Sequence, residues 1–314
     1  MTAMARSMRK TTLREIKHTF GRYMAILAII ALGVGFFSGV RDTTPAMVNM
    51  MNGFLEENNF YDFRIISTSG WNDESVEEFA EQPDVLMAEG SISFDASYYV
   101  PSRSIDEAVL KTHMLPEKIN TIKVVEGTLP ENSEECAVEQ GRGYKIGEKI
   151  RINESNDSEV LEMVKSREFT VTALVISPYY LNREKGTTKI GNGTVDSFLY
   201  LPKSAFDTEY FSEIFVCLDN DYVMYSEEYN DFIDDRTEKW EKLSEETALK
   251  HHNKLLADAE AELADAKEEY ESGIKEGQEE LDKAAAELAD GKKQLEDTKK
   301  QLDAAKADID MLKA

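Results

Sequence analysis

Histidine is scarce in this chain, with four in 314 residues, and cysteine scarcer, with Cys136 and Cys217 alone. No CxxC pair and no mixed His/Cys cluster occurs, which excludes the usual zinc frameworks. His251 and His252 are adjacent on a helical stretch and point in different directions, so they do not form a metal pair. No nucleophile elbow and no phosphate-cradling glycine loop occurs. Gly141, Gly143 and Gly147 in GRGYKIGEKI surround a short strand and do not open a helix, as a dinucleotide fingerprint would. Glu134 and Glu135 are neighbours, so in an extended chain they face opposite ways and make no acid/base pair. No catalytic, cofactor-binding or metal-ligating residue is therefore expected.

Basic residues are also in short supply: 36 Lys and Arg stand against 61 Asp and Glu, for a net charge of −25. That excludes a nucleic-acid partner, which would need a basic surface to release counterions. The deficit is uneven. Residues 1–40 carry +5, from Arg6, Arg9, Lys10, Arg14, Lys17 and Arg22 against Glu15, which leaves −30 for the rest. The two cysteines sit in strand-like runs and are expected as buried free thiols. A disulfide between them would need an oxidising compartment and cannot be placed by spacing.

One long uncharged run is present, YMAILAIIALGVGFFSGV, from Tyr23 to Val40. Its eighteen residues span about 27 Å as a helix, close to the ~30 Å hydrocarbon core of a bilayer. The run has no polar face, unlike a soluble buried helix. A cleavable signal peptide is the competing reading, but the run exceeds a usual h-region and no A-x-A site follows it. Six Lys and Arg precede the span, and only Arg41 falls in the next twenty residues. The positive-inside rule thus leaves the N-terminus cytoplasmic and residues after 40 extracytoplasmic. Gly35 and Gly39 form a G-x-x-x-G step that lets another membrane helix approach closely. Leu13, Ile16 and Phe20 share a helical face ringed by Arg9, Lys10, Arg14 and Lys17, a pattern suited to the inner membrane surface.

Beyond the span, apolar spacing continues the helix through about residue 60. Strand signals follow at Tyr61–Thr68, Val85–Val100 (one bent strand or two), Ala108–Met114, Thr121–Val125, Glu135–Glu139, Glu148–Ile152, Phe169–Ile176, Ser197–Leu201 and Ile214–Leu218. Asn72 or Asp73 is placed to cap a short helix ending before Pro83, and Pro202 to open a helical turn. The mixture predicts an α+β domain.

From about Tyr225 the pattern is helical to the end. Ile274, Leu281, Leu288, Leu295, Leu302 and Ile309 recur every seven residues as position a. Gly277, Ala284, Gly291, Thr298, Ala305 and Leu312 fill position d. This is a coiled-coil seam, and its small d residues suit a close, antiparallel partner helix. AELADA at 261–266 recurs as AELADG at 286–291; the offset of 25 is not a multiple of seven, so the stripe is expected to shift register between the copies. The predicted organisation is a basic cytoplasmic segment (1–22), a membrane helix (23–40), an extracytoplasmic α+β domain (41–224) and a helical arm (225–314).

TTLREIKHTFGRYMAILAIIALGVGFFSGVRDTTPAM resembles the first membrane segment of FtsX-like ABC-transporter permeases, the group that includes MacB-type exporters. NNFYDFRIISTSGWNDESVEEF, VVEGTLPENSEECAVEQGRGYKIGEKI and FTVTALVISPYYLNREKGTTKIGNGTVDSFLYLPKSAF are similar to successive pieces of their extracytoplasmic domain. The resemblance covers roughly Thr11–Asp219, and the acidic arm resembles insertions in large permeases of Gram-positive bacteria. It implies a non-hydrolysing cell-membrane subunit that partners a cytoplasmic ABC ATPase, the lipid bilayer, and further permease helices or a second permease copy. In the family, ATP-driven motion passes through the membrane to the outer domain. A core unit of the family has four spans where this chain has one, so the chain is expected to be the N-terminal piece of a longer permease. The alternative is a single-span, membrane-anchored extracellular coiled-coil protein that self-associates or grips an envelope partner.

Overall fold

The computed structural model describes residues 3–101 and 105–313, with side chains over 7–101 and 107–307. The chain forms two compact units, Met1–Ala248 and Leu249–Ala314.

The first unit opens with helix α1 (Ala3–His18) and helix α2 (Phe20–Glu57). Thr19 separates them, and its N–H still donates to the Glu15 carbonyl at 3.0 Å. Leu13 and Ile16 therefore lie on α1, whereas Phe20 begins α2. The 38 residues of α2 include the whole apolar run and its expected continuation. Their length is about 57 Å, and the helix is long and apolar enough to cross a membrane.

The rest of the unit is the expected mixed α+β fold. In chain order it comprises β1 (Phe63–Trp71), α3 (Asp73–Ala80), β2 (Val85–Ser91), β3 (Ser93–Val100), β4 (Ile105–Met114), β5 (Lys123–Gly127) and β6 (Glu135–Glu139). Then follow β7 (Lys149–Ile152), α4 (Ser158–Glu162), β8 (Glu168–Ile176), β9 (Ser197–Leu201), β10 (Phe211–Leu218) and α5 (Glu227–Lys313), whose residues from Leu249 on belong to the second unit. The run at 85–100 is two strands. Asn72 is the cap of α3, its side-chain oxygen accepting from the Ser75 N–H at 2.9 Å, and Pro202 opens a 3₁₀ turn at Lys203–Ala205. The short helix α4 has no counterpart among the expected elements.

Three strands form one antiparallel sheet in the order β1-β10-β2. The other seven run β5-β8-β6-β9-β4-β3-β7, and β7 also pairs with β8. The larger sheet therefore closes on itself. One edge of β8 carries β6; its other edge is shared, with β7 against residues 168–170 and β5 against 173–176. Closure leaves β9 buried on both faces: Leu199 and Leu201 enter the main core, while Phe198 and Tyr200 join Ala137, Ala173 and Val175 in a second cluster. The first turns of α5 complete the main core. Trp240 is buried and stacks on Phe63 at 5.4 Å and on Phe79 at 5.9 Å between centroids.

In the quoted piece VVEGTLPENSEECAVEQGRGYKIGEKI, β5 ends at Gly127, which adopts φ +85° and sits so close to β8 that an added Cβ would lie 2.0 Å from the Thr172 carbonyl oxygen. Only glycine meets both demands. Gly127→Ala is expected to cost at least about 1–3 kcal/mol from backbone strain alone. A lowered chemical-denaturation midpoint relative to the parent checks this, and an unchanged midpoint would contradict the packing described.

Candidate functional site

The end of α2 is where the apolar helix meets the sheets. Asn58 closes the helix and Asn59 takes the left-handed conformation with φ 49°. The Asn59 N–H donates to the Glu56 carbonyl at 3.2 Å and the Phe60 N–H to Leu55 at 3.0 Å, the double bond pattern of a Schellman cap. Asparagine tolerates this conformation better than other side-chain-bearing residues. Leu55 is fully buried at the last turn.

The cap is bound to a loop ahead of β5. The Asn120 and Thr121 N–H groups donate to the Asn59 and Asn58 carbonyls, each at 3.0 Å. The Asn59 amide returns a bond to the Lys118 carbonyl at 2.8 Å, and the Tyr61 N–H donates to the Asn120 side chain at 3.3 Å. The loop is held in turn by Glu89 on β2. Its carboxylate accepts the N–H groups of Glu117, Lys118 and Ile119 at 2.7, 2.9 and 2.7 Å. Hydrogen bonds to an ionised acceptor are roughly twice as strong as neutral ones. Helix, loop and sheet are thus tied by a short, continuous hydrogen-bond path.

Beside this joint lies an aromatic cluster built by two stretches of the last quoted piece, Val175–Leu181 and Phe198–Pro202. His113 is buried on β4; its Nε2 shares a 2.6 Å hydrogen bond with the Tyr180 hydroxyl, and its ring stacks on Tyr200 at 5.3 Å. Ser177 and Tyr200 share a hydroxyl bond of 2.7 Å. Tyr180 stacks on Phe198 at 4.7 Å, and the largely buried Lys185 lies over both rings while pairing with Glu139 at 3.0 Å. Burial, reinforced by Lys111 and Arg64, pulls the His113 pKa from its ordinary 6.5 to about 3. The cavity between His113, Asn120, Tyr179 and Tyr200 is about 20 Å³, room for no more than a water molecule. The aromatic cluster is closely packed around this cavity. Cys136 and Cys217 are free and buried; burial, then Asp62 and Glu89, push the Cys217 thiol up to about 12, so it is not a poised nucleophile.

The sequence-predicted site residues lie elsewhere, on helix surfaces. Gly35 and Gly39 are on α2 with nothing near their Cβ positions. Leu13, Ile16 and Phe20 are exposed at 65, 38 and 59%. Ile274, Leu281, Leu288, Leu295 and Leu302 lie on α5, also exposed; Ile309 is on the same helix, its side chain outside the described residues. The helix is unbroken from Glu227 to Lys313, and along it the expected shift of the stripe is a move of the large residue from position d to position a. Leu249, Leu256, Leu263 and Tyr270 fall at position d of the heptad frame that puts Ile274 at a. An offset of 25 is three heptads plus the four-residue step from d to a, so the large residue changes position within one continuous frame.

No family model matches the chain, and no curated protein matches it. Among solved structures, the chain is similar to the extracellular domain of the noncanonic ABC-type transporter YknZ from Gram-positive bacteria. The identity is 10%, over 51% of this chain and 82% of that one, with TM-score 0.31. It is also similar to the periplasmic region of MacB from Actinobacillus actinomycetemcomitans, at 13% identity over 58% of this chain and 82% of that one, with TM-score 0.32. Both are likenesses of fold.

Two outcomes follow from the joint. Glu89→Ala strands three backbone N–H groups and removes bonds worth about 1.5–3 kcal/mol each to a charged acceptor. Amide exchange across residues 117–121 is expected to accelerate by roughly tenfold or more, while β8 and β9 stay protected; unchanged exchange would show that the carboxylate does not hold the loop. For His113 the unfolded chain takes up a proton below about pH 6.5 that the folded chain refuses until about pH 3. The His113 contribution therefore lowers stability as pH falls from 6.5 towards 3 and is absent above it. His113→Gln, which retains a partner for Tyr180, is expected to flatten the stability–pH curve in that window. Parallel curves for the two proteins would refute the assignment.

Proposed function

We propose that this chain is the permease subunit of an FtsX/MacB-like ABC transporter, coupling ATP hydrolysis by a cytoplasmic partner to movement of its extracytoplasmic domain. The observation that carries the reading is the continuity of α2. The helix containing the apolar span runs without interruption into a Schellman cap that is hydrogen-bonded to the loop pinned by Glu89. A tilt or piston motion of the span would reach the sheets through that rigid connection rather than dissipate in a linker. The last sequence piece quoted above supports the same reading, because two stretches of it build the cluster beside the joint. In this reading α1 lies at the cytoplasmic membrane surface, the N-terminus is cytoplasmic and residues after 40 are outside. The open faces at Gly35 and Gly39 receive further permease helices, and hydrolysis belongs to the partner. The bare heptad seam of α5 takes an antiparallel helix.

The test is retention of an ABC ATPase. The chain, expressed in its own host with an affinity tag and extracted in mild detergent, is expected to carry a cytoplasmic ABC ATPase whose recovery changes with ATP. A cysteine at Leu86, exposed on β2, should change its labelling rate when ATP is added to the complex. If the tagged chain brings down no ATPase under any nucleotide condition, the permease reading fails and the anchored coiled-coil alternative replaces it.

A further inference from the structure

The a and d positions of α5 between Leu249 and Leu302 carry an exposed apolar stripe whose pattern is complementary to itself in an antiparallel pair. Leu249, Leu256, Leu263 and Tyr270 hold position d and are 61, 50, 71 and 69% exposed. In the same half, position a is polar: Asn253, Glu260 and Lys267. From Ile274 on, the arrangement inverts. Ile274, Leu281, Leu288, Leu295 and Leu302 hold a, at 55–72% exposure, and Gly277, Ala284, Gly291 and Thr298 hold d. A helix that changes its large position from d to a near its middle is matched to a copy of itself running the other way, because antiparallel helices put a opposite d.

We propose that two copies of this chain pair antiparallel through α5, centred near Glu279. The register centred there sets Leu256 opposite Leu302 of the second copy, Leu263 opposite Leu295, and Tyr270 opposite Leu288. The polar a positions then meet small residues: Glu260 faces Thr298 and Lys267 faces Gly291. At the centre Ile274 faces Ala284 and Leu281 faces Gly277, and the open space around Gly277 and Gly291 lets the backbones approach. A parallel pair of copies fares worse on charge. It places Glu260 against Glu260 and Lys267 against Lys267 inside the seam, where like charges directly repel and are partly desolvated. This pairing concerns the arm alone and does not rest on the transporter reading.

The experiment uses the full chain in detergent with Leu263→Cys and Leu295→Cys made separately and tagged differently. Both positions are exposed on α5, so neither change disturbs the sheets, and the native thiols are buried. After mixing and mild oxidation, the mixed disulfide between the two variants is expected to exceed the self-disulfide of Leu263→Cys by roughly tenfold, a ratio corresponding to about 1.4 kcal/mol of preference. Light scattering of the parent is expected to give the mass of two chains, and Leu263→Glu with Leu295→Glu to return it to one. A dominant Leu263→Cys self-disulfide would overturn the orientation. A single-chain mass for the parent with no cross-link would overturn the pairing and assign the seam to a different helix, leaving the ATPase test above unaffected.

Discussion

The three-way grip of the Glu89 carboxylate on the backbone of Glu117, Lys118 and Ile119 is the contact on which the organisation of the first unit turns. Three consecutive N–H groups aimed at one point make a concave anion site, and here the anion is the protein's own side chain. The loop fixed in this way presents the Asn120 and Thr121 N–H groups to the last carbonyls of α2. Those carbonyls belong to a helix end, where the chain must find partners outside the helix or leave polar groups unsatisfied. Without the carboxylate, the covalent turn at 58–62 would be the main tie between a long apolar helix and the sheets. With it, the helix end, the loop and β2 move together.

Closure of the larger sheet has a similar logic. A strand with both edges used has little freedom, and β8 and β9 are in that position, β9 with both faces covered as well. β8 divides one edge between β5 and β7, and every residue of β9 is buried. The polar groups that such a strand carries inward must then be paired. Tyr200 bonds Ser177, Tyr180 bonds His113, and Glu139 gathers Lys185, Arg142 and Ser197. His113 stays neutral for the same reason: a charge placed there would lose its water without gaining a carboxylate. The cluster is rigid because its polar atoms are partnered and because it encloses almost no space.

Much of this was legible beforehand. Alternation of apolar residues located each strand-like run, since a half-buried strand writes its period of two into the sequence, and the helices followed from the apolar run and the heptads. The joint was not legible. Asn58 and Asn59 after a helical stretch are a fair cap signal, but Glu89 lies in VLMAEGS, where a lone glutamate reads as a solvent-facing strand residue. Its partners are backbone N–H groups some thirty residues away, and backbone groups leave no trace in a sequence. Spacing places Phe20 on the face of Leu13 and Ile16 but cannot register the break at Thr19. The offset between the two AELAD copies is legible as a shift of the stripe: the large residue moves from d to a while the helix itself stays continuous.

That continuity bears on what an exposed seam of this length demands. An isolated charged helix is marginal in water, because propagation gains per residue are small and nucleation is costly. Seven large residues from Leu263 to Leu302, each more than half exposed, add an apolar stripe to that liability. The stripe is too regular to be incidental, and it is narrow, with Lys292 and Lys299 on one flank and Glu280 and Glu287 on the other. Charged flanks of this kind exclude non-specific association and admit only a helix that matches the spacing. The need for a partner is therefore written into α5 as firmly as the need for a core is written into β9. The difference is that β9 finds its complement within its own unit, while α5 must be supplied with one.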